Sequence, residues 1–153
     1  MKLLKMKIQN GDILSAESGI IVHGCNAQGK MESGIAAYIR ATYPAAYHEY
    51  NKAYENQKGL TVGTVVFAEV KPDLWIANAI TQEFYGRDKN RVYVDYSAIN
   101  KCFATVAELA RRTKLDVHFP KIGAGLANGD WNIIANRIED ELSNIPHTLW
   151  IYN

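Results

Sequence analysis

The sequence predicts an α/β fold built on a mixed central sheet, and three observations lead to this prediction. Short apolar runs alternate along the chain with longer segments of helical periodicity. Several of the runs are apolar throughout, as expected of strands that are covered on both faces. Glycine-rich turns follow two of the predicted strands, which is where open α/β sheets bind their ligands. We therefore expect a layered domain with its site beyond the carboxyl ends of the strands.

Six strands are predicted from β-favouring runs bounded by turn residues. They are Lys5 to Gln9, Gly19 to His23, Thr64 to Glu69, Leu74 to Ile80, Asp116 to Pro120 and Thr148 to Tyr152. The chain has no internal repeat, low-complexity tract or linker, and 48% of its residues are hydrophobic, enough for a substantial core. We expect residues 1–153 to form a single domain.

Four helices are predicted between these strands. They are Gly34 to Ala41, Ala45 to Asn56 after Pro44, Tyr93 to Arg112, and Trp131 to Leu142. The third carries a buried stripe at 3.6-residue spacing, formed by Ile99, Phe103, Val106 and Ala110. Asp130 precedes the fourth, where it is expected to cap the helix.

Composition narrows the classes of partner. A formal charge of +1 gives no reason to expect a long polyanion as the main partner. Cys25 and Cys102 belong to no cysteine or histidine cluster, so neither a disulfide framework nor a zinc site is predicted. The apolar runs are too short for a signal peptide or a membrane span. We expect a cytoplasmic protein with no membrane partner, no cofactor and no metal site.

Two glycine-rich loops are the main candidates for ligand binding. The first follows the second predicted strand and reads HGCNAQGKMESG, and the second, KIGAGLANGDW, follows the fifth. Glycines let the backbone approach a ligand, so that successive N–H groups converge on an anion at the positive end of the next helix. Either loop alone can be a plain turn. Together they indicate a site that grips a diphosphate from both sides.

The first loop is not the phosphate loop of a nucleoside triphosphatase. Its core, GCNAQGKM, is one residue short of that pattern, and Met31 stands where a hydroxyl would hold magnesium. Glu32 and Ser33 further delay the start of the helix. The chain also lacks an apolar strand ending in an acidic residue that would complete the magnesium site.

Four motifs in order resemble the macro domain family, which binds ADP-ribose. They are Gly11-Asp12-Ile13, VHGCNAQGKMESGIA, PKIGAGLANGDW and a last strand ending in Ile151-Tyr152. The resemblance covers nearly the whole chain and implies a three-layer α/β/α fold with a mixed sheet. The first loop most resembles the branch that removes phosphate from ADP-ribose-1″-phosphate, together with the related branch that hydrolyses terminal ADP-ribose esters.

The resemblance also implies a set of ligand contacts. Asp12 would accept a hydrogen bond from the adenine amine, and Asn26 would bond the hydroxyls of the distal ribose, roles that suit a carboxylate and an amide. The alternative is that both satisfy backbone groups in turns. The full set comprises Asp12, Ile13, Asn26, Gly34, Ile35, Gly123, Ala124, Gly125, Leu126, Ala127, Asn128 and Tyr152. Tyr152, at the end of the last strand, is expected to stack beside the adenine, and the alternative is that it only packs in the core.

Three stretches of the sequence depart from the family. Glu32-Ser33-Gly34 stands where many members have three glycines, so Glu32 is expected to repel a phosphate. Ala127 replaces the aromatic that covers the distal ribose, or the catalytic aspartate of the ester-hydrolysing branch. Gln82-Glu83 follows the strand after which that branch carries its lysine, so a lysine nucleophile is not expected.

His23 and Asp88 are the predicted catalytic residues. A histidine titrates near neutrality and can activate water at the terminal phosphate or protonate the departing oxygen, and the phosphatase branch has a histidine at the matching position. The alternative is a histidine satisfied by backbone at a strand end. Asp88 is a candidate second acid or base, and Phe84 or Tyr85 a candidate cover, unless each is an ordinary loop residue.

The predicted function is binding of ADP-ribose or a derivative, with hydrolysis of the terminal phosphate of ADP-ribose-1″-phosphate as the reaction. Two alternatives stay open: a non-catalytic module that binds free or protein-linked ADP-ribose, and a hydrolase that removes ADP-ribose from a macromolecule. The expected partners are therefore ADP-ribose, ADP-ribose-1″-phosphate and ADP-ribosylated macromolecules.

Overall fold

A mixed sheet of six strands runs through residues 3–152, the part of the chain that the computed structural model describes. The elements follow in this order: β1 (Lys7–Asn10), β2 (Gly19–Asn26), α1 (Gly34–Thr42), α2 (Pro44–Gln57), β3 (Val65–Lys71), β4 (Leu74–Gln82), α3 (Tyr96–Thr113), β5 (Val117–Phe119), α4 (Trp131–Leu142) and β6 (His147–Ile151). A short 3₁₀ turn, Ile13–Ser15, follows β1.

The strands lie in the order β1-β6-β5-β2-β4-β3. Every neighbouring pair is parallel except β3 and β4, which are antiparallel. β3 and β4 are antiparallel because only two residues connect them, whereas parallel strands need a longer crossover. Asp73 in this turn adopts the left-handed conformation, with φ of 62°.

Helices cover both faces of the sheet. α1 and α2 pack on one face, while α3 and α4 pack on the other. Side chains of β2 alternate between the two faces, so that Ile20 and Val22 join the core under α3 and α4, and Ile21 joins the core under α1 and α2. All three are fully buried, as the continuous apolar run predicts. The three-layer α/β/α prediction is therefore confirmed.

All six predicted strands and all four predicted helices are present, and α4 has the predicted bounds. The stripe on α3 is confirmed, since its four residues are at most 2% exposed. Two boundaries differ by three residues. β2 continues through Asn26, because Cys25 and Asn26 remain paired with β4. α3 begins at Tyr96, because the side chain of Asp95 accepts a hydrogen bond from the N–H of Ala98 and caps the helix there.

No helix within residues 3–152 combines the length and the apolar character that crossing a membrane would need.

Candidate functional site

The two glycine-rich loops lie side by side at the carboxyl edge of the sheet, because β2 and β5 are paired neighbours. Between them is a cavity of about 660 Å³, here called the loop cavity. It adjoins a cavity of about 580 Å³, the aromatic cavity. Gly34, Ile35, Pro120 and Lys121 line both, so the two form one cleft. Its place beyond the strand ends is the one that the α/β architecture predicts.

The aromatic cavity is built from the loop after β1, from α1 and from the end of β6. Its walls include Tyr38, Trp150 and Tyr152, and its polar group is the carboxylate of Asp12 beside Ile13. Tyr152 is 81% exposed, so one face of its ring is free to stack on a planar ligand. This half of the cleft suits a heteroaromatic base.

Asp12 is already engaged in two hydrogen bonds. Its Oδ1 accepts from the N–H of Leu14 at 2.9 Å and caps the 3₁₀ turn, and its Oδ2 accepts from the hydroxyl of Tyr38 at 2.7 Å. The second bond raises the pKa of Tyr38, because the carboxylate holds the phenol proton. Each carboxylate oxygen has a second lone pair, so Asp12 still has acceptor capacity for a ligand.

The loop cavity contains backbone donors from both loops. Ser33 makes no side-chain hydrogen bond to α1, so the first N–H groups of that helix are uncapped beside Gly34. Among residues 3–152, the N–H groups of Gly125, Leu126 and Ala127 make no hydrogen bond to the protein. Because oriented N–H groups and a helix N-terminus both attract anions, this arrangement suits a diphosphate.

The second loop is held in shape by a contact across its own base. The N–H of Gly129 donates to the carbonyl of Gly123 at 2.6 Å, and Gly123 has a φ of 76°. A Cβ on Gly129 would lie 2.5 Å from that carbonyl oxygen and from Val94. Only glycine therefore permits this closure. Asp130 follows, and its side chain accepts from the N–H of Asn132 and caps α4, as predicted.

Charged side chains make the lining of the loop cavity net positive. Lys30, Arg87 and Lys121 line it, together with one carboxylate, that of Glu32. Glu32 is the departure for which the sequence predicts repulsion of phosphate. In the structure that charge shares the loop cavity with three cations.

Asn26 lines the loop cavity and also organises the first loop. Its Oδ1 accepts from the N–H of Gln28 at 2.9 Å, and its Nδ2 donates to the carbonyl of Lys30 at 2.8 Å. The hydroxyl of Tyr50 donates to the backbone carbonyl of Asn26 at 2.6 Å. The turn-stabilising alternative for Asn26 therefore describes what the side chain does here. A ribose hydroxyl would have to share or replace one of these bonds.

His23 does not lie in the cleft, which corrects the sequence interpretation. It is fully buried beneath α2, with Nε2 2.6 Å from Oδ1 of Asn78. Because Nδ2 of Asn78 donates to the carbonyls of Ala46 and Val66, its oxygen faces the ring and Nε2 carries the proton. Burial lowers the pKa of His23 to about 4, although the bond to Asn78 opposes this. A neutral core imidazole cannot touch a ligand in the cleft.

Asp88, Ala124 and Asn128 also lie outside the cleft lining. Asp88 is exposed, and its Oδ1 accepts from the N–H of Asn90, so it serves a turn. Nδ2 of Asn128 donates to the carbonyls of Asp88 and Arg91 at 2.9 and 2.7 Å, which ties the segment after β4 to the second loop. The N–H of Ala124 donates within its own turn, to Lys121. These residues shape the walls without lining them.

The remaining predicted residues lie in the cleft lining. They are Asp12, Ile13, Asn26, Gly34, Ile35, Gly123, Gly125, Leu126, Ala127 and Tyr152. The sequence interpretation missed Tyr38, Trp150, Lys30, Arg87 and Lys121. Lys30 and Lys121 lie within the two candidate loops, and Tyr38 follows Gly34 by one helical turn and so shares its face of α1. Tyr85 lines the loop cavity, as one of the two predicted covers.

No group of three or more metal-ligating side chains occurs within the described range, residues 3–152.

Comparison with known proteins identifies several relatives. The family model described as Macro domain matches residues 22–138. An ADP-ribose 1″-phosphate phosphatase of Meyerozyma guilliermondii is 27% identical, over 83% of this chain and 88% of that protein. A DNA ADP-ribosyl glycohydrolase of Mycobacterium tuberculosis is 25% identical, over 90% of this chain but 38% of that protein.

Solved structures of other proteins have the same fold as this chain. A macrodomain protein from Streptomyces coelicolor is 28% identical with a TM-score of 0.83, covering 97% of this chain and 100% of that one. The macrodomain of Mycobacterium tuberculosis DarG superimposes with a TM-score of 0.79 at 20% identity, covering 96% of this chain and 99% of that one. At that identity the second match shows the fold alone.

Proposed function

The chain belongs to the macro domain family, and from that premise we propose that it binds ADP-ribose and hydrolyses the terminal phosphate of ADP-ribose-1″-phosphate. The phosphatase of Meyerozyma guilliermondii, a relative over most of both chains, supports this choice of substrate. The physical support comes from the two halves of the cleft.

In the proposed complex the adenine occupies the aromatic cavity. Tyr152 stacks on the base and a free lone pair of Asp12 accepts from its exocyclic amine. The diphosphate passes Gly34 and Lys121, which line both cavities, and meets the unbonded N–H groups of the second loop. The distal ribose then lies in the loop cavity beside Asn26.

The observation that carries this proposal is the continuity of the two cavities. One end is aromatic and carries a single acceptor, whereas the other is lined by backbone donors and by three cations against one carboxylate. A nucleoside diphosphate linked to a second sugar has the same sequence of chemical groups: a base, two phosphates and a polar end.

Hydrolysis in this site relies on positioning and on the cations. A water oxygen bonds to phosphorus, the bond from phosphorus to the 1″ oxygen breaks, and a proton of the water passes to that oxygen. Phosphoryl transfer needs mainly placement and neutralisation of charge, which Lys30 and Arg87 supply in the loop cavity. Neither His23 nor Asp88 takes part in this step.

Phosphorus NMR of ADP-ribose-1″-phosphate, before and after addition of the protein, tests the proposal because the monoester and the diphosphate give separate signals. We expect loss of the monoester signal and growth of free phosphate. A perturbed diphosphate with an intact monoester would leave a binding module for ADP-ribose. Spectra unchanged at ligand and protein concentrations of about 1 mM would refute binding altogether.

Release of ADP-ribose from a modified macromolecule is a second candidate, and the carboxylate of Glu32 favours it. Glu32 is exposed and lines the loop cavity, within which it can take a proton from water that attacks the anomeric carbon of the distal ribose. The anomeric bond to the macromolecule then breaks, and the leaving oxygen or nitrogen takes up a proton. DNA ADP-ribosyl glycohydrolases among the relatives support an ADP-ribosylated partner of this kind.

Hydrolysis of the terminal phosphate and release of ADP-ribose from a macromolecule are distinguished by a second substrate and by a variant of Glu32. ADP-ribosylated DNA is incubated with the wild type and with Glu32→Gln, and free ADP-ribose is quantified by chromatography. Release that falls at least tenfold in Glu32→Gln supports this candidate. No release by the wild type, alongside phosphate release in the NMR experiment, rejects it.

We also propose that residues 1–153 act as one macro domain in the cytoplasm. Cys25 and Cys102 are both buried and free, which suits a reducing compartment.

A further inference from the structure

Arg87 lines the loop cavity and does not line the aromatic cavity. Lys121 lines both cavities, so it marks their junction, whereas Arg87 lines the loop cavity alone. When the adenine is in the aromatic cavity, the junction meets the diphosphate. The distal ribose and any group attached to it then lie in the loop cavity, which Arg87 lines.

The backbone that carries Arg87 is held in place on both sides. The carbonyls of Asp88 and Arg91 accept from the side chain of Asn128 in the second loop. The N–H of Asp88 donates to the hydroxyl of Tyr93 at 3.3 Å. Because these bonds tie the segment to the anion-binding loop, Arg87 starts from a fixed position relative to the bound diphosphate.

Gly86 adds to this constraint. A Cβ at this position would overlap the hydroxyl of Tyr93, so the segment packs directly against that ring. On the other side of the segment, Nε2 of Gln82 donates to the carbonyl of Phe84 at 2.7 Å. The residues before and after Arg87 are therefore both anchored.

The guanidinium of Arg87 has no acidic partner within residues 3–152, where the one ion pair joins His147 and Glu139. Arg91, in the same segment, is different, because its guanidinium lies 5.3 Å from the Phe84 ring centre and 4.9 Å from that of Tyr93. Arg87 thus keeps its donors for a ligand. A planar guanidinium matches a terminal phosphate, since two parallel N–H groups meet two oxygens.

We propose that Arg87 determines specificity for a terminal phosphate monoester on the distal ribose. This inference rests on the proposed function, because it assumes that ADP-ribose lies in the cleft with its adenine in the aromatic cavity. Lys121, at the junction, acts on the diphosphate that all ADP-ribose ligands share. Arg87 acts only when a monoester is present.

Binding affinities for two ligands test whether Arg87 acts on the terminal phosphate while Lys121 acts on the diphosphate. One ligand is ADP-ribose, and the other is its 1″-methylenephosphonate analogue, which carries the terminal phosphoryl group on a bond that water does not cleave. Dissociation constants are measured by calorimetry for the wild type, Arg87→Ala, Arg87→Lys, Lys121→Ala and Lys89→Ala. Lys89 is the matched control, because it is exposed in the same segment, carries the same charge and does not line the cleft.

Arg87→Ala should weaken binding of the phosphonate by about 10- to 100-fold, the usual effect of losing charge-assisted hydrogen bonds, and should change binding of ADP-ribose by less than about threefold. Arg87→Lys should fall between, because the charge stays and the paired donors are lost. Lys121→Ala should weaken both ligands by similar factors. Lys89→Ala should leave both within about threefold of the wild type.

Three results would overturn the inference. The first is that Arg87→Ala weakens binding of both ligands equally or of neither. The second is that Lys89→Ala reproduces the selective effect of Arg87→Ala, which would make the effect one of net charge. The third is that the wild type binds ADP-ribose at least as tightly as it binds the phosphonate. The proposed binding of ADP-ribose would then stand, and only the role of Arg87 would fall. A wild type that binds neither ligand would instead refute the proposed function.

Discussion

Nε2 of His23 donates a hydrogen bond of 2.6 Å to Oδ1 of Asn78, in a part of the core where both side chains are fully buried. Asn78 in turn donates to the carbonyl of Ala46 on α2, so the pair ties two central strands to the helix that covers them. The neutral imidazole is the form that this arrangement needs. His23 therefore matters for stability, and its titration should be visible in unfolding.

We expect the free energy of unfolding to fall as the pH is lowered from about 6.5 to about 4. Burial lowers the pKa of His23 from 6.5 to about 4 in the folded chain, so the unfolded chain binds more protons within this window. The stabilisation is complete above the unfolded pKa and is lost as the pH falls towards the folded one. The shift corresponds to roughly 3 kcal/mol, measurable by urea unfolding at a series of pH values.

His23→Gln removes this titration and should reduce the pH slope. Part of the slope should remain, because burial also lowers the pKa of His118. His48→Gln is the control for replacing a histidine, since His48 is exposed on α2. An unchanged slope in His23→Gln would contradict the assignment.

Asp12→Ala should weaken ADP-ribose binding by about tenfold, because it removes the acceptor proposed for the adenine amine. The measurement is calorimetric titration with ADP-ribose. Asp130→Ala is the matched control: it removes a capping carboxylate outside the cleft and should lower the free energy of unfolding by about 1 kcal/mol without changing affinity. Equal affinities of Asp12→Ala and the wild type would refute the role of Asp12.

Asn128→Gly should loosen the segment after β4. Asn128 has a φ of 60°, which glycine adopts freely, so the substitution removes the two hydrogen bonds to Asp88 and Arg91 without straining the backbone. We expect faster amide exchange at residues 86–92, measured by mass spectrometry. Lys114→Gly, at another left-handed position on the C-cap of α3, controls for added chain flexibility. Unchanged exchange at residues 86–92 would show that the two bonds do not hold the segment.

Gly129→Ala should destabilise the protein by roughly 1 to 3 kcal/mol, because its Cβ would collide with the carbonyl of Gly123 and with Val94. Gly125→Ala, four residues earlier in the same loop, is the control. A Cβ on Gly125 meets no protein atom within 4 Å, so the stability of the Gly125→Ala variant should stay near that of the wild type. Thermal unfolding of the two variants compares them directly, and equal melting temperatures would mean that the loop relaxes at little cost.

The sequence predicted every strand and helix because each carries its own periodicity and its own turn residues. It placed the ends of β2 and α3 less well, because those ends depend on distant partners. Gly24 to Asn26 read as a glycine-rich turn, yet β4 keeps Cys25 and Asn26 paired. Tyr93 read as helix, yet its N–H donates to the carbonyl of Ala127, far along the chain.

The residues of the candidate site likewise include some that local sequence predicts and others whose position depends on distant contacts. Glycines and short polar residues in loops that follow neighbouring strands were predictable, and most of them line the cleft. His23 was misplaced because helices cover both faces of the sheet, and alternation along β2 does not say which side chain faces a cleft. Asn128 lies outside the lining because its side chain bonds to the carbonyl of Asp88, 40 positions away, and no local pattern records that bond.

The pairing of β1 with β6 fixes the order in which the cleft can be completed during synthesis. Residues 7–10 are made early, but they find their partner only when residues 147–151 have left the ribosome. Gly11 and Asp12 line the aromatic cavity together with Trp150 and Tyr152, whereas no residue of β6 lines the loop cavity, so a nascent chain that stops before β6 lacks part of the aromatic cavity only. Such long-range parallel pairing also slows folding. ADP-ribose should therefore not bind folding intermediates that lack the pairing of β1 with β6, because the adenine site is incomplete until those two strands have paired.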